Sequence, residues 1–267
     1  LGLFACGDDP ITPPAPTGPQ QYGVPLVSVP NIDQATIYEV NVRQYTPEGT
    51  FIAFQKHLPR LKGMGVDILW FMPITAISEK VRKGTLGSYY ACSSYTKINP
   101  EFGTANDFTN LVTEAHTLGM KVIIDWVANH TGRGHEWMEL HSEWFSRNEK
   151  GDFTERNGWE DVVDLNYSNA DMRNALIGAM QYWVRDFKID GFRCDMAHLV
   201  PLDFWKDARK AVEILKPLYC LVFHIAVDIG FTDRYGRVRT LHNQAFTCNG
   251  IGLALVCCKD NHVVYSG

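Results

Sequence analysis

The chain has 267 residues, of which 45% are hydrophobic and 21% are charged, and its formal net charge is −5. This composition is typical of a globular protein, and without a basic excess nucleic-acid binding is not expected. No apolar run approaches the ~20 residues of a membrane-spanning helix, so membrane-embedded classes are excluded, as are coiled coils and collagen. The seven cysteines are scattered without a CxxC pair, so neither a disulfide scaffold nor a structural zinc site is expected.

Residues 1–33 predict an extended tether behind a lipidation-like segment. Seven of the thirteen prolines lie between Pro10 and Pro30, and proline favours extended backbone. Leu3 to Cys6, followed by an acidic pair, resembles the end of a bacterial lipoprotein signal whose Cys receives the lipid. We therefore expect a secreted, cell-surface or periplasmic protein, lipid-anchored at Cys6 in a Gram-negative bacterium; the alternative is a polar tail with a stray cysteine. Since the chain does not begin with Met, we also expect an incomplete or processed N terminus.

Residues 34–217 alternate between strand and helix patterns. Thr36 to Val42 is rich in β-branched residues and predicts a strand, whereas Phe51 to Leu61 has apolar residues at helical spacing. Val66 to Phe71 is a mostly apolar run, as expected of a strand covered on both faces. The later elements are a helix from Phe108 to Leu118, a strand from Lys121 to Ile124, a helix from Met172 to Trp183, a strand from Ile189 to Cys194 and a helix from Phe204 to Leu215.

This alternation predicts a parallel sheet, either a barrel or a doubly wound sheet. No GxGxxG or P-loop motif follows a strand, which argues against nucleotide binding. Residues 131–168 form a long insertion after the third strand, rich in Trp, His and charge. A loop of this length in a compact unit is more often functional than neutral, and parallel α/β folds place their chemistry at this end of the strands.

Polar residues end three apolar segments on that side of the sheet. Alternate residues of a strand share a face, so we expect Arg193 beside Asp195, where it would lower the pKa of the carboxyl group and keep it ionised. An ionised, fixed aspartate can act as a nucleophile or an electrostatic stabiliser in glycoside hydrolysis; the alternative is a structural ion pair. Two further polar groups on the same side favour a catalytic site over a structural ion pair. One is Asp125 with Asn129 and His130, and the other is Asp164 with Asn166.

These segments resemble motifs of the α-amylase family, glycoside hydrolase family thirteen. Asp125 to His130 (DWVANH) matches its D-x-V-x-N-H motif, and Gly191 to Asp195 (GFRCD) matches its G-F-R-x-D motif. Val163 to Asn166 resembles its P-D-L-N motif, and Gly87 to Thr104 resembles the loop after its second strand. The resemblance implies an α/β fold, the TIM (β/α)₈ barrel, with only its N-terminal half of about four to five β/α units represented and a domain-B-like insertion after the third strand.

The resemblance also implies roles for individual residues in retaining hydrolysis of α-glucosidic bonds in starch-like glucans or maltooligosaccharides. Asp195 would be the catalytic nucleophile that forms a covalent glycosyl-enzyme, and Arg193 would orient and ionise it. Tyr90 would stack on the sugar, His130 would hydrogen-bond it, and Asp125 would support the site from the adjacent strand.

Calcium is the cofactor that the resemblance suggests, because Asn129 and Asp164 match positions that often hold a structural Ca²⁺ through oxygen ligands. The tryptophans and histidines of the insertion indicate a function less specifically. The insertion's tryptophans could stack on sugars, although packing is as common a role; they are Trp137, Trp144 and Trp159. Its histidines lack partners at metal-binding spacing and are expected to be solvated or sugar-facing; they are His130, His135 and His141.

The sequence departs from the family pattern at several positions. Ser94 stands where the family's loop has Asp before Tyr95, and His198 is offset by one from the family's Lys-His pair, so no role is carried over to it. Retaining hydrolysis needs a second carboxyl group about 5 Å from the nucleophile. The family takes it from a Glu on the fifth strand, but Phe223 and His224 stand in that region and no Glu follows Glu213. The family's later His-Asp motif is also missing, because Asn261-His262 is followed by Val263.

Residues 218–267 do not match the family, and they hold four of the seven cysteines with only seven charged residues. We favour an amylase gene whose reading frame is lost near residue 217. One alternative is a natural short chain that binds α-glucan without cleaving it. Another is a parallel α/β scaffold for an unrelated ligand.

Overall fold

The computed structural model describes residues 35–215 and the backbone of two short strands beyond them, at 231–232 and 238–239. Several predictions of the sequence fall outside the described residues and stay predictions. They concern the tail with Cys6, the region of Phe223 and His224, and the segment around Asn261 and His262.

The strands and helices follow one another along the chain in the predicted alternation. The strands are β1 (Ile37–Val40), β2 (Ile68–Phe71), β3 (Lys121–Val127), β4 (His130–Gly132), β5 (Val162–Asp164), β6 (Gly191–Asp195), β7 (Phe231–Thr232) and β8 (Val238–Arg239). The helices are α1 (Val42–Tyr45), α2 (Phe51–Gln55), α3 (Leu58–Gly63), α4 (Ala105–Thr117), α5 (Glu136–Leu140), α6 (Ala170–Phe187) and α7 (Leu202–Leu215).

A four-stranded parallel sheet in the order β1-β2-β3-β6 forms the centre of the molecule. Apart from Lys121, every residue of β3 is buried, as expected of a strand covered on both faces. In the register of β3 with β6, Asp125 pairs with Arg193 and Val127 pairs with Asp195. The sheet therefore brings the two predicted polar groups together at the carboxyl ends of adjacent strands.

Two element boundaries differ from the sequence prediction for local reasons. The first strand ends at Val40 because the carbonyl of Asn41 accepts hydrogen bonds from the amides of Gln44 and Tyr45, which turns the chain into α1. The helix predicted from Phe51 to Leu61 is divided into α2 and α3. Pro59 lies in the first turn of α3 and has no N–H with which to continue the hydrogen bonds of α2.

The core lies between the sheet and the helices and is built around Phe108 of α4. The Phe108 ring centroid lies 5.1 Å from Phe51, 5.9 Å from Phe71, 6.1 Å from Trp183 and 5.7 Å from Phe187. These rings come from α2, β2 and α6, so one side chain joins three elements. Aromatic contacts of this kind add about 0.5–1.5 kcal/mol each beyond area burial.

The insertion folds back onto the carboxyl end of β3. Strands β4 and β5 pair antiparallel, with His130 opposite Asp164. The amide of Leu165 donates to the carbonyl of Asn129 at 3.1 Å, and the hydroxyl of Tyr167 donates to the carbonyl of Ala128 at 2.6 Å. The insertion is therefore fixed to the end of the sheet that carries the polar residues. Within the described part of the chain, none of the helices has the length and apolar character to cross a bilayer.

Candidate active site

Arg193 lies between two carboxyl groups at the end of the sheet. Its Nη1 donates to Asp125 Oδ1 at 3.0 Å and Oδ2 at 3.1 Å, and to Asp195 Oδ1 at 2.9 Å. The predicted neighbourhood of Arg193 and Asp195 is confirmed. Asp125 and Arg193 are buried, whereas Asp195 is partly exposed.

Asp125 receives two further donors from residues on the same side of the sheet. Trp70 Nε1 and the Tyr90 hydroxyl each lie 3.3 Å from Asp125 Oδ2. The Arg193 guanidinium lies over the Trp70 ring, 4.9 Å from its centroid. Sequence reasoning missed Trp70, although its position in the apolar run of β2 placed it beside this strand end.

The pKa of Asp195 is raised by burial, which outweighs the opposing effect of Arg193. Burial likewise raises the pKa of Asp125 to about 7, with the nearby charge of Asp195 adding to the effect. Arg193 does lower the pKa of Asp195, as the sequence predicted, but burial raises it by more, so the net pKa lies above its ordinary value. One guanidinium faces two carboxyl groups that are both largely removed from water, and it compensates their desolvation only in part.

His130 is buried beside the carboxyl end of β3 and makes a defined hydrogen bond. The amide nitrogen of Asn129 lies 3.0 Å from His130 Nδ1. An amide nitrogen only donates, so Nδ1 accepts and the ring proton lies on Nε2. Burial lowers the pKa of His130 to about 4, so the ring is neutral near pH 7. Its centroid lies 5.4 Å from that of Trp159.

A cavity of about 370 Å³ opens beside these groups, within the size range of small-molecule sites. Three of the predicted site residues line it, and they are Tyr90, His130 and Asp195. Asp125 and Arg193 do not line it, but they contact Tyr90 and Asp195, respectively. Sequence reasoning missed Lys83 and Asp161, which form an ion pair of 3.5 Å. The residues that line the cavity are Lys83, Ser88, Tyr90, His130, Trp159, Asp161, Val162, Asp195 and Met196.

Comparison with known proteins identifies the family. The alpha amylase catalytic-domain profile matches residues 31–161 and 139–215, which together are more than half of the chain. The chain belongs to the α-amylase family. It resembles the α-amylase-like glycoside hydrolases, and its four-stranded parallel sheet is part of a TIM (β/α)₈ barrel, as the family resemblance implied.

Among the relatives, the alpha-amylase MalA of Haloarcula japonica is 29% identical over 186 residues, covering 66% of this chain and 27% of its own length. The crystal structure of an alpha-amylase from Lactobacillus plantarum is 46% identical with a TM-score of 0.68, covering 70% of this chain and 44% of that one. An alpha-amylase of Geobacillus thermoleovorans complexed with acarbose is 31% identical with a TM-score of 0.60, covering 72% and 46%. The chain thus spans less than half the length of these family members.

The two predicted calcium ligands lie together but contact an arginine. Arg156 Nε donates to Asp164 Oδ2 at 2.8 Å, and Arg156 Nη2 donates to Asn129 Oδ1 at 3.3 Å. Among the residues that the structure describes, no group of three or more His, Cys, Asp or Glu side chains is placed to hold a metal ion. A calcium site at Asn129 and Asp164 stays a prediction of the family resemblance.

The remaining aromatic and histidine residues of the insertion divide into packing and cavity-lining groups. Trp137 packs with its ring 5.0 Å from Tyr95 and 5.0 Å from Trp144, and His141 stacks on Trp144 at 3.9 Å. His135 Nδ1 accepts the backbone N–H of Trp137 at 3.1 Å. These contacts favour packing for Trp137 and Trp144, whereas Trp159 lines the cavity.

Proposed function

We propose that this chain carries the nucleophile-bearing part of a retaining glycoside hydrolase site that acts on α-glucosidic bonds of starch-like glucans or maltooligosaccharides. The observation that carries the proposal is the position of Asp195. It stands at the carboxyl end of a strand of a parallel barrel sheet, faces the cavity, and is held by Arg193 at 2.9 Å. Catalytic residues of TIM barrels occupy this position.

In the proposed reaction, the free oxygen of the Asp195 carboxylate attacks the anomeric carbon of the bound glucose unit. The bond from that carbon to the glycosidic oxygen breaks, and the leaving oxygen takes a proton from a general acid. Arg193 holds Oδ1 of Asp195 and so fixes the direction of attack. Because burial disfavours the negative charge of Asp195, forming a neutral ester relieves part of that cost.

The cavity walls suit a sugar. His130 lines the cavity as a neutral ring, so it can lie against a sugar without the desolvation cost of a cation. Tyr90 and Trp159 offer aromatic rings at the cavity surface. The hydroxyl of Tyr90 is fixed by Asp125, which supports the position of the ring.

Hydrolysis needs a second carboxyl group that acts as general acid, whereas binding of a glucan without cleavage does not. Of the described residues that line the cavity, only Asp161 and Asp195 carry carboxyl groups, and Asp161 is paired with Lys83 at 3.5 Å. This observation favours one alternative, a non-catalytic α-glucan-binding protein. That alternative predicts retention of the chain on an amylose column without formation of a glycosyl-enzyme.

The nucleophile can be tested independently of the acid with 5-fluoro-α-glucosyl fluoride. Fluoride leaves without a proton, so the first step needs the nucleophile but no general acid. We expect mass spectrometry to find one added glycosyl group on the peptide that contains Asp195. The matched control is Asp161→Asn, which should still be labelled, whereas Asp195→Asn should not. A folded wild-type chain that stays unlabelled while binding amylose would support the binding protein instead.

Turnover is measured separately with maltoheptaose. If the chain has an acid beyond the described residues, reducing sugar is released and Asp195→Asn abolishes the release. Labelling without release would assign the nucleophile to Asp195 and show that the general acid is lacking.

A further inference from the structure

Arg156, Asn129 and Asp164 form a cluster where the insertion meets the barrel, here called the Arg156 cluster. Asn129 lies between β3 and β4, Asp164 ends β5, and Arg156 comes from the loop before β5. The guanidinium reaches Asp164 Oδ2 at 2.8 Å and Asn129 Oδ1 at 3.3 Å. One cationic side chain therefore joins the end of a barrel strand to a strand of the insertion.

A positive charge is needed at this place because Asp164 is buried. Its side chain is 1% exposed, and its ion pair is made with Arg156. The other carboxylate oxygen, Oδ1, is buried without a hydrogen-bond partner among the described residues. A buried carboxylate without a counter-charge costs several kcal/mol, so Asp164 stays ionised only with a cation beside it.

The donor set does not suit Ca²⁺ while Arg156 is in place. Ca²⁺ takes about six to eight oxygen ligands, of which the side chains of Asp164 and Asn129 could supply a few, with backbone carbonyls and water supplying the others. Two of the side-chain oxygens already accept hydrogen bonds from the guanidinium. A divalent ion beside them would also meet the positive charge of Arg156 at close range.

We propose that the Arg156 guanidinium takes the place of a structural calcium ion, so that this chain fixes its insertion to the barrel without metal. Arg156 and a divalent cation compete for the same oxygens of Asn129 and Asp164. The side chain of Arg156 is 59% exposed, so it can leave the cluster without disturbing the core. Removing its charge turns a metal-independent junction into one that gains from calcium.

The cluster also connects to the cavity. Since Asn129 Oδ1 accepts from Arg156, the amide nitrogen of Asn129 is turned towards His130 Nδ1. The cation thus fixes the orientation of an amide that in turn fixes the tautomer of a cavity-lining histidine. This link explains why a charge at the junction matters beyond stability, and it makes Arg156 a positioning residue.

The test is thermal unfolding of the full chain in EDTA and in millimolar CaCl₂, for wild type, Arg156→Met and Arg156→Lys. We expect wild type to have the same Tm in EDTA as in CaCl₂. Arg156→Lys should likewise have the same Tm in the two buffers. Arg156→Met should unfold several degrees lower in EDTA and regain stability in CaCl₂, because a ligand that binds only the folded state raises Tm. The matched control is Arg147→Met, another exposed arginine of the insertion, which should show no calcium response.

Two results would overturn the proposal. One is a wild-type Tm that falls in EDTA and recovers with calcium, which would show that the metal is already needed. The other is an Arg156→Met variant with the wild-type Tm in both buffers, which would show that the cluster needs no cation. If Arg156→Met does not fold, the EDTA insensitivity of wild type and Arg156→Lys still decides the matter.

Discussion

Arg193 donates from a single nitrogen, Nη1, to both carboxylate oxygens of Asp125, at 3.0 and 3.1 Å. The same nitrogen also reaches Asp195, the proposed nucleophile. One cation therefore serves two carboxyl groups, one fully enclosed and one at the cavity. Stability and chemistry depend on the same side chain.

Replacing Arg193 should be among the most destabilising changes in the barrel part. We expect Arg193→Met to lower the free energy of unfolding by about 3–5 kcal/mol, because two carboxyl groups lose their counter-charge in a buried site. Adding Asp125→Asn removes one of those charges, so the double variant should lose less than the sum of the single losses. Urea unfolding of the four proteins of this cycle measures the coupling. If the losses of free energy of unfolding in the two single variants sum to the loss in the double variant, the contact between Arg193 and Asp125 contributes little.

The parts of the fold that sequence predicts are those with a local period. Apolar runs and helical spacing located β2, β3, α4 and α6, because strands covered on both faces and amphipathic helices leave strong patterns. The neighbourhood of Arg193 and Asp195 follows from the two-residue period of a strand. Pro59 marks the break between α2 and α3 in the sequence, but the apolar pattern continues across it and predicts a single helix.

The parts that sequence could not predict depend on contacts between distant segments. The ion pair of Lys83 with Asp161 and the contact of Trp70 with Asp125 join segments far apart in the chain. The raised pKa of Asp195 depends on burial, which is a tertiary property, whereas its neighbour Arg193 is visible in the motif. A motif thus shows which charges are adjacent but not how much water surrounds them.

The tautomer of His130 is open to direct measurement. Because Asn129 donates to Nδ1, we expect the ring proton on Nε2 throughout the range near pH 7. Long-range ¹H–¹⁵N NMR of the histidine side chains distinguishes the two tautomers. Asn129→Asp replaces the donor by an acceptor and should move the proton to Nδ1. An unchanged tautomer in that variant would contradict the assigned amide orientation.

A buried histidine should make stability fall in acid. Burial lowers the pKa of His135 to about 3, whereas a histidine in an unfolded chain titrates near about 6.5. Between these values the unfolded state binds the proton and the folded state does not, so the free energy of unfolding falls as pH falls.

Urea unfolding near neutral pH and near about pH 5 should show a smaller loss for His135→Asn than for wild type. Gly178→Ala, which adds a methyl group with no atom within 4 Å and changes no titratable group, is the control and should keep the wild-type loss. Asp125, whose pKa is raised to about 7, contributes with the opposite sign. Comparing each variant with wild type removes that contribution. Equal losses in all three proteins would contradict the role of His135.

Two glycines should respond oppositely to the same substitution. A Cβ on Gly132 would lie 2.3 Å from Ser78 Cβ and 2.6 Å from the Ala91 carbonyl oxygen. Gly132→Ala should therefore destabilise by about 1–3 kcal/mol or more, by forcing the insertion away from the loop after β2. A Cβ on Gly178, in α6, meets nothing within 4 Å. Gly178→Ala should stabilise by about 0.5–1 kcal/mol, because alanine favours the helix more than glycine does. The Tm of each variant measures the effect. Equal Tm shifts would show that the close contacts of Gly132 do not matter.

Ser94 stands where the resemblance led us to expect Asp, and its environment explains the departure. The Ser94 hydroxyl donates to Glu136 Oε1 at 2.7 Å, and Lys97 pairs with Glu136 Oε2 at 2.7 Å. Ser94 is buried, so Ser94→Asp would place a second carboxylate against Glu136 away from water. We expect it to destabilise more than Ser94→Ala, which loses the hydrogen bond to the charged Glu136, about 1.5–3 kcal/mol, and the longer one accepted from the Thr96 amide.

The cause of that loss can be separated by a second substitution and by pH. Adding Glu136→Gln removes the like charge and supplies an amide donor, so it should recover part of the stability lost in Ser94→Asp. The deficit should also shrink as pH falls, because protonation of either carboxyl group ends the repulsion. Chemical unfolding of the single and double variants measures both effects. A deficit that neither acid nor Glu136→Gln reduces would mean that Ser94 is required for its small volume and not for its uncharged hydroxyl.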